Sequence, residues 1–177
     1  MTTIIKRHIN ALDPKSFKER FEGIDPKVKK AIQKAIDKEL NKLTPKQEKE
    51  IKTLFKKALS LFKQVVIKRA GKRCEARDEK GNRCKKTKRL NVHHVESYAT
   101  NKGFRCNPRN GCAFCSTHHK FGRESAHHSF VFMWLFMTQY RQDDLNYLQE
   151  HYRDRIVITK EFLEEIIRSL SEELNEN

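Results

Sequence analysis

The chain has no long apolar run. The longest, Phe130 to Met137, is eight residues, and a bilayer-spanning helix needs about 20, so none is expected. The opening Met1-Thr2-Thr3-Ile4-Ile5-Lys6 has no apolar stretch of the secretory kind. No Arg/Trp amphipathic anchor and no lipidation signal is present, so no membrane partner is expected. Cysteine is missing outside Cys74–Cys115, and the five found there are interleaved with histidines. An odd, His-mixed cluster without a leader disfavours disulfides and favours metal ligation. These absences together predict a soluble protein of the cytoplasm.

What is present is charge. Of 177 residues, 34% are charged and 37% hydrophobic. That leaves enough Leu, Ile, Val and aromatics for a core, and excludes wholesale disorder. The net charge of +15 is uneven: residues 1–72 hold 20 Lys/Arg against 8 Asp/Glu, and residues 73–177 hold 18 against 15. Such basicity concentrates a polyanion, so nucleic acid is the expected partner.

Capping signals predict helices at both ends of the chain. Asp13-Pro14 opens a short helix over Lys15–Phe21, Asp25-Pro26 opens one running to Leu40, and Thr44-Pro45 opens a long one to Ala70, stopped by Gly71. In the long helix Ile51, Leu54, Phe55, Ala58, Leu59, Phe62, Val65 and Val66 share one face. Lys49, Lys52, Lys56 and Lys63 lie opposite and are either solvated or on phosphate. There is no internal repeat. From Ser125 on, helical texture returns. Phe130–Tyr140, apolar almost all round, is expected to be a fully buried helix, Asp143-Asp144 opens another, and Thr159 caps a last one from Lys160 to Leu174. This divides the chain into a basic helical extension (1–72), a central core (73–128) and C-terminal helices (129–177).

The central region breaks the helical pattern. Asp78-Glu79-Lys80-Gly81-Asn82 reads as a turn, Arg89–Val95 as a short strand, and Asn110-Gly111 as a tight turn. Cys74, Cys84, Cys115 and His118 form a candidate tetrahedral zinc site, since structural zinc takes four thiolate or imidazole ligands in local pairs. Cys115-x-x-His118 is a compact pair. Cys74-x9-Cys84 is wide, but the Gly81-Asn82 turn can fold it back. The alternative set is Cys106, Cys112, Cys115 and His118. With the first set, Cys112 is a small buried residue and Cys106 is unassigned.

Five polar residues remain: His93, His94, Asn110, His119 and His127. Neighbours on a strand face opposite ways, so of His93 and His94 one can bind a metal while the other accepts a proton. Imidazole, with a pKa near ~6.5, suits a general base.

Val92-His93-His94-Val95, then Pro108-Arg109-Asn110-Gly111-Cys112-Ala113-Phe114-Cys115, then His118-His119 resembles the HNH endonuclease motif, the ββα-metal fold. Phe121-Gly122-Arg123-Glu124-Ser125-Ala126-His127 is similar to the tail of some phage-type HNH proteins, including phage recombination nucleases. The resemblance covers about residues 73–128. It departs from the family in having His118 for the second Cys of C-x-x-C-H, and C-x9-C for the first C-x-x-C. It implies a mostly helical α+β protein: a zinc-braced ββα-metal core flanked by N- and C-terminal helices. It implies an enzyme cutting DNA, duplex or branched, in host cytoplasm if phage-encoded. His93 would be a ligand of a catalytic Mg²⁺ or Mn²⁺, His119 the second and His127 a third ligand or substrate contact. His94 would be the general base, and Asn110 would orient it or tie the strands.

Lys102, Arg105, Arg109, Lys120 and Arg123 are candidate phosphate contacts, and double-strand cutting would favour a homodimer. A non-catalytic zinc-stabilised DNA-binding protein is the alternative. An RNA-directed module is disfavoured by the expected lack of clustered surface aromatics. His8, His128 and His151 are expected to be ordinary, with one of His127 and His128 capping the next helix.

Overall fold

The structure, a computed structural model, describes residues 25–28, 30–31, 44–97, 102–154 and 156–176. The chain divides into two units, Met1–Gln47 and Glu48–Asn177. In the first, residues 26–28, 30 and 31 are helical, and Asp25 caps them by accepting from the Lys27 N–H at 2.7 Å. The helix expected at Lys15–Phe21 and the remainder of the one expected to reach Leu40 lie outside the described residues.

Helix α1, Pro45–Arg69, opens on a capping box. The Gln47 N–H donates to Thr44 Oγ1 at 3.3 Å, and the Thr44 N–H donates back to Gln47 Oε1 at 3.0 Å. It ends where Gly71 adopts φ +58, the left-handed stop that glycine takes without strain. Its apolar stripe buries Ala58, Phe62, Val65 and Val66.

The sheet is one antiparallel hairpin. Strand β1, Leu90–His94, pairs with β2, Gly111–Cys115, in the register Val92↔Ala113, His93↔Cys112, His94↔Gly111. The link between them carries 3₁₀ turns at Lys102–Cys106 and Pro108–Asn110. All five residues of β2 are buried, because the hairpin partitions two cores. On one face Ala113 and Val92 pack with α1 and with Leu163 and Leu170 of helix α4, Lys160–Asn175. On the other, Cys112 and Phe114 pack with Phe136 and Met137 of helix α2, Phe130–Tyr140, and Leu148 of helix α3, Gln142–Glu150. A Cβ on Gly111 would collide with Val66 and Phe62. Glycine there lets α1 press directly on the sheet.

Helix α4 starts at the expected cap, Thr159, whose hydroxyl accepts from the Phe162 N–H at 3.1 Å. It runs the same way as α1, with Lys160–Glu50 (2.6 Å) at one end and Arg69–Glu173 (2.8 Å) at the other. The acidic last helix thus lies against the basic one. Lys68 Nζ donates to the Glu173, Leu174 and Glu176 carbonyls at its C-terminus, where a cation is favoured.

Helix α2 departs from expectation. It buries one side only, through Phe136 and Met137, while Phe130, Val131, Trp134 and Leu135 are exposed. A helix laid on one face of a two-stranded sheet has a single neighbour layer, so an all-round apolar sequence leaves half its surface uncovered. Its N-cap is Ser129, accepting from the Phe132 N–H at 3.1 Å, not His127 or His128. No helix among the described residues is long and apolar enough to cross a membrane.

Candidate metal centres

The first centre is built by the loop after α1 and the end of β2. Asp78 nucleates the turn, accepting from the Lys80 N–H at 3.0 Å and the Asn82 N–H at 2.8 Å, and Gly81 takes φ +78. The bonds Cys84 N–H to Ala76 O (2.8 Å) and Cys74 N–H to Lys86 O (2.9 Å) then fold Cys84 back on Cys74. Two arginines lock the loop to the helix end. Arg73 donates to the Cys84 and Arg83 carbonyls, and Arg83 to those of Ala70, Arg73 and Cys74.

Cys74, Cys84, Cys115 and His118 bring one ligand atom each to within 4.8 Å of one another. His118 Nδ1 lies 3.5 Å from Cys74 Sγ and 3.3 Å from Cys115 Sγ. Tetrahedral zinc, with Zn–S near 2.3 Å and Zn–N near 2.0 Å, would put such atoms roughly 3.5 Å apart. The Cys115 N–H also points at Cys74 Sγ, at 3.3 Å. Burial pushes the Cys74 thiol up to about 12. At Cys115 burial acts the same way but is outweighed by the backbone N–H groups of His118 and Thr117 and the neighbouring thiols, so this thiol sits below its ordinary value. The set is three thiols and an imidazole, the chemistry of a structural zinc site.

The alternative set is not brought together. Cys106 packs in the α1–α4 core, its thiol pushed up to about 11 by burial. Cys112 is fully buried on the other side, with Sγ 3.9 Å from Met137 Sδ.

The second centre draws on three segments. His93 comes from β1, His119 from the helical turn Thr117–Phe121 after β2, and His127 from the loop before α2. The loop is laid back on the turn by Ala126 N–H to His118 O (2.8 Å) and His127 N–H to His119 O (3.2 Å). The ring centroids are 5.6 Å apart for His93–His119, 4.9 Å for His93–His127 and 4.6 Å for His119–His127. One nitrogen of each lies within 4.8 Å of the others. Burial, then His127 and His119 nearby, lowers His93 to about 4, and burial also lowers His119. At neutral pH His93 is therefore a neutral imidazole with a lone pair to offer.

His118 links the two centres, since it adjoins His119 and its ring lies parallel to Phe132 of α2, 6.3 Å away.

His94 faces the other way. Its ring stacks on Phe62 of α1, 4.9 Å and 20° apart, and Nε2 lies 2.9 Å from the Arg105 carbonyl. A carbonyl only accepts, so Nε2 carries the proton and Nδ1 the basic lone pair. Burial lowers its pKa, as do Lys63 and Arg105, against the bond to the Arg105 carbonyl.

Asn110 is 1% exposed. Its Oδ1 accepts from the Glu96 N–H at 2.6 Å, and Nδ2 donates to the Phe104 and Glu96 carbonyls at 3.1 and 3.3 Å. These bonds all go to backbone and tie the exit of β1 to the 3₁₀ turn that carries Arg105.

Of the basic candidates, Lys120 and Arg123 are exposed. Arg105 lies over the Phe55 ring, 5.6 Å from its centroid. Arg109 lies 4.7 Å over Tyr147 and 3.9 Å from Asp144. The Lys102 side chain and His8 lie outside the described residues. His151 pairs with Asp154 at 2.7 Å.

Phe62 and the Arg105 carbonyl, which hold His94, were not singled out from sequence. Phe62 gave only the signal of a core position. The expected lack of clustered surface aromatics is corrected by Phe121, Phe130 and Trp134, all exposed, with the last two stacked.

No protein-family model matches the chain, and no curated protein or solved structure is significantly similar to it.

Proposed function

We propose that this chain is a metal-dependent endonuclease of the HNH, ββα-metal type, hydrolysing phosphodiester bonds in DNA. One observation carries the reading. Three imidazoles from three segments, His93, His119 and His127, converge within 4.8 Å. The strand–strand–helical-turn order and the thiol-rich cluster beside it support the same reading.

Among the described residues the histidine cluster includes no carboxylate. Three protein ligands leave positions open for water and phosphate, as catalytic sites do. An all-imidazole set suits a nitrogen-accepting ion such as Zn²⁺ or Ni²⁺ better than Mg²⁺ or Mn²⁺, which prefer oxygen. The bound ion would stabilise charge on the phosphate and the leaving oxygen.

The protein's own part is proton transfer and positioning. His94, beside His93 at the end of β1, is the residue proposed to accept a proton from the attacking water. The water oxygen bonds to phosphorus as the bond to the leaving deoxyribose oxygen breaks, and that oxygen takes up a proton from solvent. The Arg105 carbonyl steadies the resulting imidazolium through Nε2–H, and the flat face of Phe62 fixes the ring plane. Arg105, Lys120 and Arg123 contact the phosphates. The Cys74, Cys84, Cys115 and His118 set would hold zinc, which fixes the turn bearing His119.

The test is supercoiled plasmid incubated with Zn²⁺, Ni²⁺, Mn²⁺ or Mg²⁺ and either the natural protein or its His94→Ala variant. Cleavage by the first and a loss of 100-fold or more in the second are expected. If no ion supports cleavage, a zinc-braced DNA-binding protein without chemistry is what remains.

A further inference from the structure

Taking the phosphate position from the nuclease reading, we propose that Phe121, Phe130 and Trp134 stack unpaired DNA bases beside the three-histidine site, so that the substrate carries a single-stranded segment.

The rings are placed for it. Phe121 is 78% exposed, Phe130 80% and Trp134 47%, where a core role would bury them. Phe130 and Trp134 already lie near-parallel, 6.2 Å and 20° apart. Phe121 follows His119 by two residues and Phe130 follows His127 by three. Three residues span at most about 11 Å, which puts these backbones within a nucleotide or two of the proposed scissile phosphate.

Charge selects the occupant. Phe121 is flanked by two exposed cations, Lys120 and Arg123, against one exposed carboxylate, Glu124, while α2 itself carries no charged side chain. Aromatic faces interleaved with cations are the make-up of sequence-tolerant single-strand binding, because every base has a π-face and every nucleotide a phosphate. In a regular duplex the base faces are stacked on one another and out of reach. A second copy could cover the same rings, but a two-fold contact sets each patch against itself, bringing Lys120 and Arg123 of both copies together.

Trp134 is the sole tryptophan, so intrinsic fluorescence reports on this surface directly. The full chain carrying the one equivalent of zinc held by the Cys74, Cys84, Cys115 and His118 cluster, with no free divalent ion, is titrated with oligothymidylate, oligouridylate and a blunt DNA duplex of equal length. Oligothymidylate is expected to quench Trp134, with the duplex at least tenfold weaker. Phe121→Ala and Phe130→Ala are each expected to weaken oligothymidylate binding about tenfold with unchanged thermal melting, since both rings are exposed.

Equal affinity for duplex and single strand, binding of oligouridylate alone, or no change in either variant would overturn the proposal. So would a Trp134 signal that follows protein concentration while the molecular mass doubles, which would identify a second copy as the occupant. Plasmid cleavage with a silent Trp134 would remove the stacking surface and keep the nuclease. Quenching by single strands with no cleavage under any ion would do the reverse.

Discussion

The His94 ring lies face to face with Phe62, a fully buried residue of α1. A helix that reads as scaffold therefore sets the plane of the proposed base. Phe62→Leu keeps an apolar residue of similar bulk and removes the flat face. It is expected to cost about 1 kcal/mol of stability and to lower plasmid cleavage tenfold or more at unchanged zinc content. Cleavage at the natural rate in a variant that folds would show that the stack has no part in positioning His94.

Gly111 admits that helix. A methyl group there meets Val66 and Phe62, both buried in a packed core that cannot give way freely. Gly111→Ala is expected to destabilise the protein by about 1–3 kcal/mol, read from urea denaturation. Val66→Ala in the same chain should return part of that loss, and a double variant no more stable than Gly111→Ala would count against the close approach.

The Cys74, Cys84, Cys115 and His118 cluster should take up zinc with release of protons, because burial holds the Cys74 thiol protonated to about 12. One equivalent of zinc is expected to remain after gel filtration at neutral pH, measured by atomic emission. Cys115→Ser should lose it and melt well below the natural protein, whereas His118→Cys, which also supplies a ligand, should retain it. Cys106→Ser, remote from the cluster, should leave zinc content unchanged.

His93 makes stability depend on pH in a definite direction. Its pKa in the fold is about 4, against ~6.5 in an unfolded chain. The unfolded state binds the proton more readily, so the contribution of the neutral ring is complete above pH ~6.5 and is lost as pH falls toward 4. The ceiling on the loss is about 3 kcal/mol. Without an ion on the three histidines, His93→Gln should show a shallower fall of melting temperature between pH 6.5 and 4 than the natural protein. Parallel curves would show that His93 is not the group responsible. Histidine-bound zinc should raise the melting temperature of the natural protein most above pH 6.5, where the ring nitrogens are unprotonated.

Local signals were the legible part. Thr44 with Gln47, and Thr159, place two helix starts, because a cap is chemistry between near neighbours in the chain. The Asp78–Asn82 turn between Cys74 and Cys84, and the way that pair and the Cys115–His118 pair bracket the His93 strand, were enough to nominate the four-ligand cluster over the set using Cys106. Strand alternation separated His93 from His94. What stayed hidden depended on neighbours distant in sequence. The apolarity of Phe130–Tyr140 reads the same whether one side of the helix is covered or both.

By itself, then, the sequence determined the helix starts at Thr44 and Thr159, the basic character, the first strand of the hairpin, and the residue types able to hold metal. Those follow from dihedral preference, periodicity and ligand chemistry, all local. Only the tertiary structure decided that the hairpin divides two cores, which face of it each histidine occupies, that His127 joins His93 and His119, and that Trp134 and Phe130 are left in solvent. Each of these depends on which surfaces meet across the fold, and packing between distant segments is not written in any one stretch of chain.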